Sequence, residues 1–338
     1  MKKLLVLLMV VALAVVFTAC GGGDATTQGD ESKTYVMRLG TPTTNDPQVY
    51  EMGEFKRILE EKTDGRIKVE TYPSGQLGSN TQMLQGLQSG SIQGLLEPTA
   101  FLGGFCSVLN VVDLPYFFKD VWQATDLLNS EAGDGLRAYL EEKGITTGAF
   151  YVYGDRITLS SSKIEKIEDF KGKKIRVMGA KVLQDQYNAW GAAGIPMDVP
   201  ELYTALQQKT IEGLESAAQF FEMGKYYEVS KYILTEPKGA EVTIFMMNTE
   251  WLESLPADLQ QAVMDAAQEV IPLAEDYARE SQEEAKEIMQ EAGVQIIDAS
   301  EDFRAELIEK SQIVHETFLQ DNPDAKDIYE QLKKAINA

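Results

Sequence analysis

Between Pro256 and Ala292 runs the segment that most restricts the fold. Leu259, Val263, Ala267, Val270, Ala274, Tyr277 and Ile288 recur at helical spacing with Asp and Glu opposite, which predicts one very long amphipathic helix, kinked at Pro272. Such a helix is too long for a single lobe and reads as a spine shared by two. A coiled-coil dimer seam is the alternative, although the stripe is not a strict heptad. At 338 residues and 44% hydrophobic content, length also favours two compact lobes.

Upstream, short strand patterns alternate with helical ones. Tyr35 to Leu39 alternates as a half-buried strand, helical spacing follows until Asp64-Gly65, and Arg66 to Tyr72 alternates again. A helix over Thr81 to Ser89, a strand over Ile92 to Leu96, a helix from Trp122 to Lys143 and a strand through Phe150 to Leu159 come next. A turn of helix at Ile167 to Phe170, a strand at Lys174 to Met178, helices at Gln184 to Gly191 and Glu201 to Gln208, and a strand at Glu241 to Met247 complete the pattern. The class is α/β with largely parallel sheets.

The first residues stand apart. Met1-Lys2-Lys3 precedes the apolar run Leu4 to Phe17, which ends in Thr18-Ala19-Cys20. Fourteen apolar residues are too few to span a bilayer and fit an export signal. The run resembles a bacterial lipoprotein signal, which implies cleavage after residue 19 and lipidation at Cys20. Gly21 to Ser32 has nothing to bury and reads as a flexible tether, so residues 20–33 link the anchor to a fold beginning near Tyr35.

A formal net charge of −22, two units more negative once Lys2 and Lys3 are removed, disfavours nucleic acid and anionic membrane as partners. An anion site on such a chain must be local, arginine-lined and screened from solvent. Cys106 reads as a small buried hydrophobe. His315, the only histidine, has no nucleophile motif near it and reads as a solvated helix residue. No Cys/His cluster suits a metal, and no motif calls for a cofactor. The lysines at 163, 166, 171, 173 and 174 read as a solvated face.

Two of the chain's eight arginines stand twenty residues apart, Arg156 in G-D-R-I-T-L and Arg176 in K-I-R-V-M. A guanidinium holds a carboxylate through two parallel hydrogen bonds and keeps its proton. Surface arginines beside strands are the plainer explanation, and the spacing alone leaves both open.

Several ordered runs carry a family likeness: T-Y-P-S-G-Q-L-G from Thr71, D-L-P-Y-F-F from Asp113, the two arginine strands, E-L-Y-T-A-L-Q from Glu201 and Y-Y-E-V from Tyr226. Over Tyr35 to Glu287 the chain resembles the solute-binding subunit of a tripartite ATP-independent periplasmic (TRAP) transporter, of the dicarboxylate-binding type. The resemblance implies a two-lobed, periplasmic-binding-protein-like fold with a ligand cleft between the lobes, strands crossing twice, and the long helix bracing both. The expected lobes are 34–153 plus 242–281, and 154–241 plus 282–338. It also implies that Arg176 anchors a ligand carboxylate with Arg156 as a supporting donor.

Other positions depart from the family pattern. Where members usually read D-G-Q-E-N-P, this chain has E-G-L-E-S, so Ser216 replaces an asparagine donor and Ala217 a proline. Met178-Gly179 replaces Pro-Asn. Both changes remove polar contacts and speak against sialic acid. Glu97 either accepts from a ligand or pairs with Arg156; Phe220 and Phe221 either wall the pocket or fill the core. Tyr203 is a ligand candidate with a core alternative, Trp190 reads as core, and the Thr41 to Thr44 hydroxyls either face ligand or form a turn.

The expected protein is an extracytoplasmic, lipid-anchored monomer that captures a small organic acid and passes it to TRAP membrane subunits. Small dicarboxylates rank first among its solutes, ahead of sugar acids and aromatic acids. It is not expected to be an enzyme and needs no cofactor. A sensor module for a membrane receptor would use the same cleft, and a secreted lyase would need a titratable group there, Glu97 or Tyr203.

Overall fold

The strand patterns resolve into two sheets. In the computed structural model, which describes residues 33–337 apart from Asn45, the strands are β1 (Tyr35–Gly40), β2 (Ile67–Tyr72), β3 (Gly94–Pro98), β4 (Ile145–Asp155), β5 (Ile157–Ser160), β6 (Lys174–Val177), β7 (Ala193–Pro196), β8 (Gly213–Ser216), β9 (Tyr232–Leu234), β10 (Ala240–Asn248) and β11 (Gln295–Ile297). The signal, Cys20 and the tether through Ser32 lie outside the described residues. One sheet has the order β2-β1-β3-β10-β4 and the other β11-β9-β5-β8-β6-β7. Within them β1 runs parallel to β2 and β3, and β6 parallel to β7 and β8, while β10 and β5 pair antiparallel to their neighbours. The fold is the expected two-lobed α/β arrangement.

The run expected as one strand over Phe150 to Leu159 is two, in different sheets. Arg156 is the single residue between β4 and β5. The chain returns to the first sheet through residues 235–239, and the two passages are stitched together: Arg156 N–H donates to the Gly239 carbonyl at 2.8 Å, and Lys238 N–H to the Arg156 carbonyl at 3.2 Å.

The long helix spans Ala257–Glu291 with Pro272 inside it, so at 1.5 Å per residue its 35 residues reach about 50 Å. Leu259, Val263, Ala267, Val270 and Ala274 pack with β1 and helix Pro47–Lys62 residues such as Leu39 and Phe55. Ala285 and Met289 pack with Leu214 and Ile233 of the second sheet. The apolar stripe is thus consumed within the chain, which removes the basis for a coiled-coil seam. Segment 282–338 divides between the two sides. Trp190, in the core, donates from Nε1 to the Leu307 carbonyl at 3.1 Å and so ties down helix Glu301–Asp321. Helix Lys326–Ile336 instead lies beside the first sheet, where Gln331 donates to the Glu131 carbonyl at 3.0 Å.

Two local expectations differ from the structure. The helix expected from Trp122 to Lys143 breaks into Val121–Asn129 and Asp134–Glu141. Ser130 Oγ accepts the Ala132 N–H at 3.2 Å, a local bond that competes with helix propagation. At Gly133 a Cβ would sit 2.0 Å from the Leu128 carbonyl oxygen, so the turn admits only glycine. His315 is half-buried rather than solvated. Its Nε2 lies 2.7 Å from the Pro115 carbonyl and Nδ1 3.2 Å from the Tyr329 hydroxyl. Because a carbonyl only accepts, Nε2 carries the proton; burial lowers the pKa.

Candidate functional site

Where the two crossings meet, the second sheet presents strand ends to the first. Arg176 is the third residue of β6, beside Leu214 of β8 and Ile195 of β7. Ser216 ends β8 opposite Ile157, and Glu241 is the second residue of β10. With Pro42, Thr43, Pro98, Phe101, Tyr153, Met178, Val199 and Phe220 they line a small, tightly closed pocket.

Arg176 is 1% exposed. Its Nε donates to the Met197 carbonyl at 2.9 Å, while Nη2 is buried without a partner. Among the described residues no carboxylate reaches it within ion-pair distance. The Phe220 ring lies under the guanidinium, 5.8 Å from its carbon. Burial holds its pKa below the usual arginine value, against the pull of Glu215, Tyr226 and Glu241. A buried, incompletely satisfied cation is costly unless something anionic completes it.

Arg156 is just as buried but fully committed. Nη2 donates to Asp113 Oδ1 at 2.7 Å, Nη1 faces Glu215 at 3.3 Å, and Nε donates to the Ala240 carbonyl at 2.9 Å. All three members of this ion cluster are fully shielded from solvent. Burial pushes Asp113 up to about 6 despite the Arg156 charge. Of the two arginines, then, only Arg176 lines the pocket, and Arg156 pins the crossing behind it.

Ser216 Oγ donates to both oxygens of Glu241, at 2.8 and 3.0 Å, and the Ala217 N–H donates to the same carboxylate at 3.0 Å. Met178 lines the pocket with its sulfur 4.0 Å from Arg156 Nη1. Phe220 is a pocket wall, whereas Phe221 is buried in the core. Thr43 Oγ1 reaches the rim but is engaged with Asp46 at 2.8 Å, the residue that caps helix Pro47–Lys62.

Two expected residues lie elsewhere. Glu97 does not pair with Arg156: it accepts from Asn80 Nδ2 and borders a separate hollow with Asn80 and Phe101. With no arginine near, burial raises it to about 8. Tyr203 does not line the pocket: half-buried, it packs its ring against the core around Leu202 and Leu206, and its hydroxyl donates to Glu228 at 2.8 Å. Its helix, Leu202–Gln207, fully buries Leu202, Ala205 and Leu206, and that phase leaves Tyr203 at the half-buried edge of the core, away from the pocket.

Residue-type reasoning passed over Glu241 and Glu215. The signal was there for Glu241, an acid inside the run A-E-V-T-I-F-M-M, since an unpaired acid is rarely placed in a buried strand.

Two α/β lobes linked by paired crossing strands, with a pocket at the crossing lined by a buried arginine and a buried carboxylate, are the arrangement of a solute-binding protein. The family model described as DctP, bacterial extracellular solute-binding protein, family 7, matches residues 40–321, and the chain belongs to that family. It is 34% identical over 242 residues to the C4-dicarboxylate-binding periplasmic protein DctP of Rhodobacter capsulatus, covering 71% of this chain and 72% of that one. It is 29% identical over 294 residues to the 2,3-diketo-L-gulonate-binding periplasmic protein YiaO of Escherichia coli, covering 86% and 89%. A TRAP periplasmic solute-binding protein from Desulfovibrio salexigens, solved with orotic acid, superposes with a TM-score of 0.85 at 31% identity, covering 90% of this chain and 100% of that one. The family and these relatives are extracytoplasmic solute-binding proteins rather than enzymes.

Proposed function

We propose that this chain captures a small organic acid by pairing its carboxylate with Arg176, and delivers it to TRAP membrane subunits. The observation that carries the reading is the buried Nη2 of Arg176, unpartnered and lining the pocket. A carboxylate there would complete the guanidinium's bonds over the Phe220 face. The relatives' names point the same way, since a dicarboxylate, a diketo sugar acid and orotic acid share a carboxylate. Arg156, locked into its ion cluster, acts by holding the crossing in register rather than by touching solute. Ser216 and Met178 shape the floor, and Phe220 the wall. The lobes are the two sheet layers with their helices, and the chain is tethered to the membrane by lipid at Cys20.

Arg176→Met keeps most of the side chain's volume and removes its charge. Losing one partner of a desolvated charge pair costs about 2–5 kcal/mol, or about 30-fold to several-thousand-fold in affinity. Calorimetric titration of refolded protein with a panel of organic acids should show that loss for any acid the parent binds. Binding within about threefold of the parent would refute the anchor.

A further inference from the structure

Glu241 places a carboxylate in the same pocket as Arg176, and nothing in the anchoring role of the arginine requires it. It is 2% exposed, on a strand whose every other residue is buried too. Its surroundings fix what it does. Arg156 is spent on Asp113 and Glu215, and the Lys238 ammonium, buried without a partner, does not line this pocket. Arg176 and Glu241 are thus the cationic and the acidic group lining the pocket, close enough to feel one another's charge without an ion pair between them. The Ser216 hydroxyl, its one proton shared between the two oxygens, and the Ala217 N–H direct two donor hydrogens at Glu241. A carboxylate offers about four lone-pair sites, so acceptor capacity remains open.

The two groups impose a rule on any acid seated on Arg176. A second carboxylate beside Glu241 sets like charges together where water does not screen them, which forces one to take up a proton. A hydroxyl or N–H there instead donates a charge-assisted hydrogen bond to an open acceptor site. We propose that Glu241 is a specificity-determining residue, selecting acids that carry an O–H or N–H donor away from the anchoring carboxylate and rejecting simple dicarboxylates. The inference rests on the Arg176 reading. Burial and Glu215 together push Glu241 up to about 7 against the pull of Arg156, so at neutral pH much of its population is the acceptor form.

The test uses acids matched in skeleton and different at the far end: succinate, 4-hydroxybutyrate and 4-aminobutyrate, with glucarate and gluconate as a longer pair. Calorimetry on the parent should rank at least one donor-ended acid about tenfold or more tighter than its matched dicarboxylate. Glu241→Gln, which keeps an acceptor oxygen but not the charge, should close that gap to within about threefold by improving the dicarboxylate. The hydroxyl and amine arms show which donor is preferred. A parent that binds succinate or glucarate tightest overturns the inference, even if the variant does not fold. So does an unchanged preference in a folded Glu241→Gln. Those outcomes leave the Arg176 anchor standing if Arg176→Met still abolishes binding. Silence from every acid overturns both.

Discussion

Replacing Arg176 with methionine should make the ligand-free protein more stable while destroying its affinity for acids. The guanidinium is 1% exposed, has one hydrogen-bonded nitrogen in Nε, and leaves Nη2 unpartnered. The folded state bears a desolvation cost that Asp113 and Glu215 offset by direct pairing for Arg156, and that Glu215, Tyr226 and Glu241 offset only in part, without an ion pair, here. Exchanging buried charges for well-packed apolar groups is commonly neutral or gains about 1–4 kcal/mol. Losing the bond to the Met197 carbonyl returns about 1 kcal/mol. A net gain of about 2 kcal/mol follows. Unfolding entropy near 2.1 cal/mol/K per residue over roughly 300 residues makes 1 kcal/mol worth about 1.6 °C, so the variant should melt about 3 °C above the parent. The assay is differential scanning calorimetry after unfolding and refolding to strip carried-over solute. Adding an acid at about 100 times its dissociation constant should lift only the parent, by about 2.7 kcal/mol, and so reverse the order. A ligand-free variant melting about 3 °C below the parent would show that Arg176 is satisfied by the fold, and the argument from its unpaired charge would fail.

Glu97 should make stability depend on pH with an uncommon sign. Its folded pKa, raised to about 8, means the native state binds more protons than the unfolded chain between roughly pH 5 and 8, so this group's contribution grows as pH falls and is lost as pH rises through 8. Between pH 8 and 6 that amounts to roughly 2 kcal/mol, and Glu97→Gln should flatten the profile by that amount in urea titrations; an identical slope would mean Glu97 stays ionised. Tyr203→Phe removes a surface hydrogen bond and should change stability by no more than about 0.5 kcal/mol and acid affinity not at all, whereas a tenfold loss of affinity would return Tyr203 to the site. Cys20→Ser should abolish incorporation of radiolabelled palmitate in cells, and unchanged labelling would sink the lipid anchor.

What could be read from sequence was what depends on local periodicity. The long helix, the first two strands and the buried stripe from Leu259 to Ala274 follow from spacing, because the 3.6-residue and 2-residue repeats are set by backbone geometry. The break at Ser130–Gly133 was missed because apolar spacing continues across it; steric closeness of Gly133 to the Leu128 carbonyl is a tertiary fact. Tyr203 was placed by a family run of residues, yet its direction is set by which face of a six-residue helix is apolar. Glu97 was placed near the arginines because strand order was unknown: β10 inserts between β3 and β4, and Arg156 at the end of β4 finds Asp113 and Glu215 instead.

The two arginines show why residue type did not suffice. They share chemistry, burial and a strand-end position, and differ only in which carboxylates reach them. Asp113 comes from the loop before helix Val121–Asn129 and Glu215 from β8, so the cluster on Arg156 takes one acid from the first-sheet side and one from the second sheet. A pin of this kind at the residue where the chain changes sheets fixes the strand ends on either side of it, including Ser216 and Ala240. With the crossing held by one arginine, the other needs no internal ion-pair partner to keep its place: the Met197 carbonyl and the Phe220 ring orient it and leave Nη2 buried without a partner. Had Glu215 reached Arg176 instead, the guanidinium would have been paired internally, and a dissolved carboxylate would have had to displace that partner; Glu241 shares the pocket but makes no ion pair with Arg176. On the proposed reading, the division of labour between a saturated arginine and an unsaturated one gives a chain of net charge −22 a place to hold an anion.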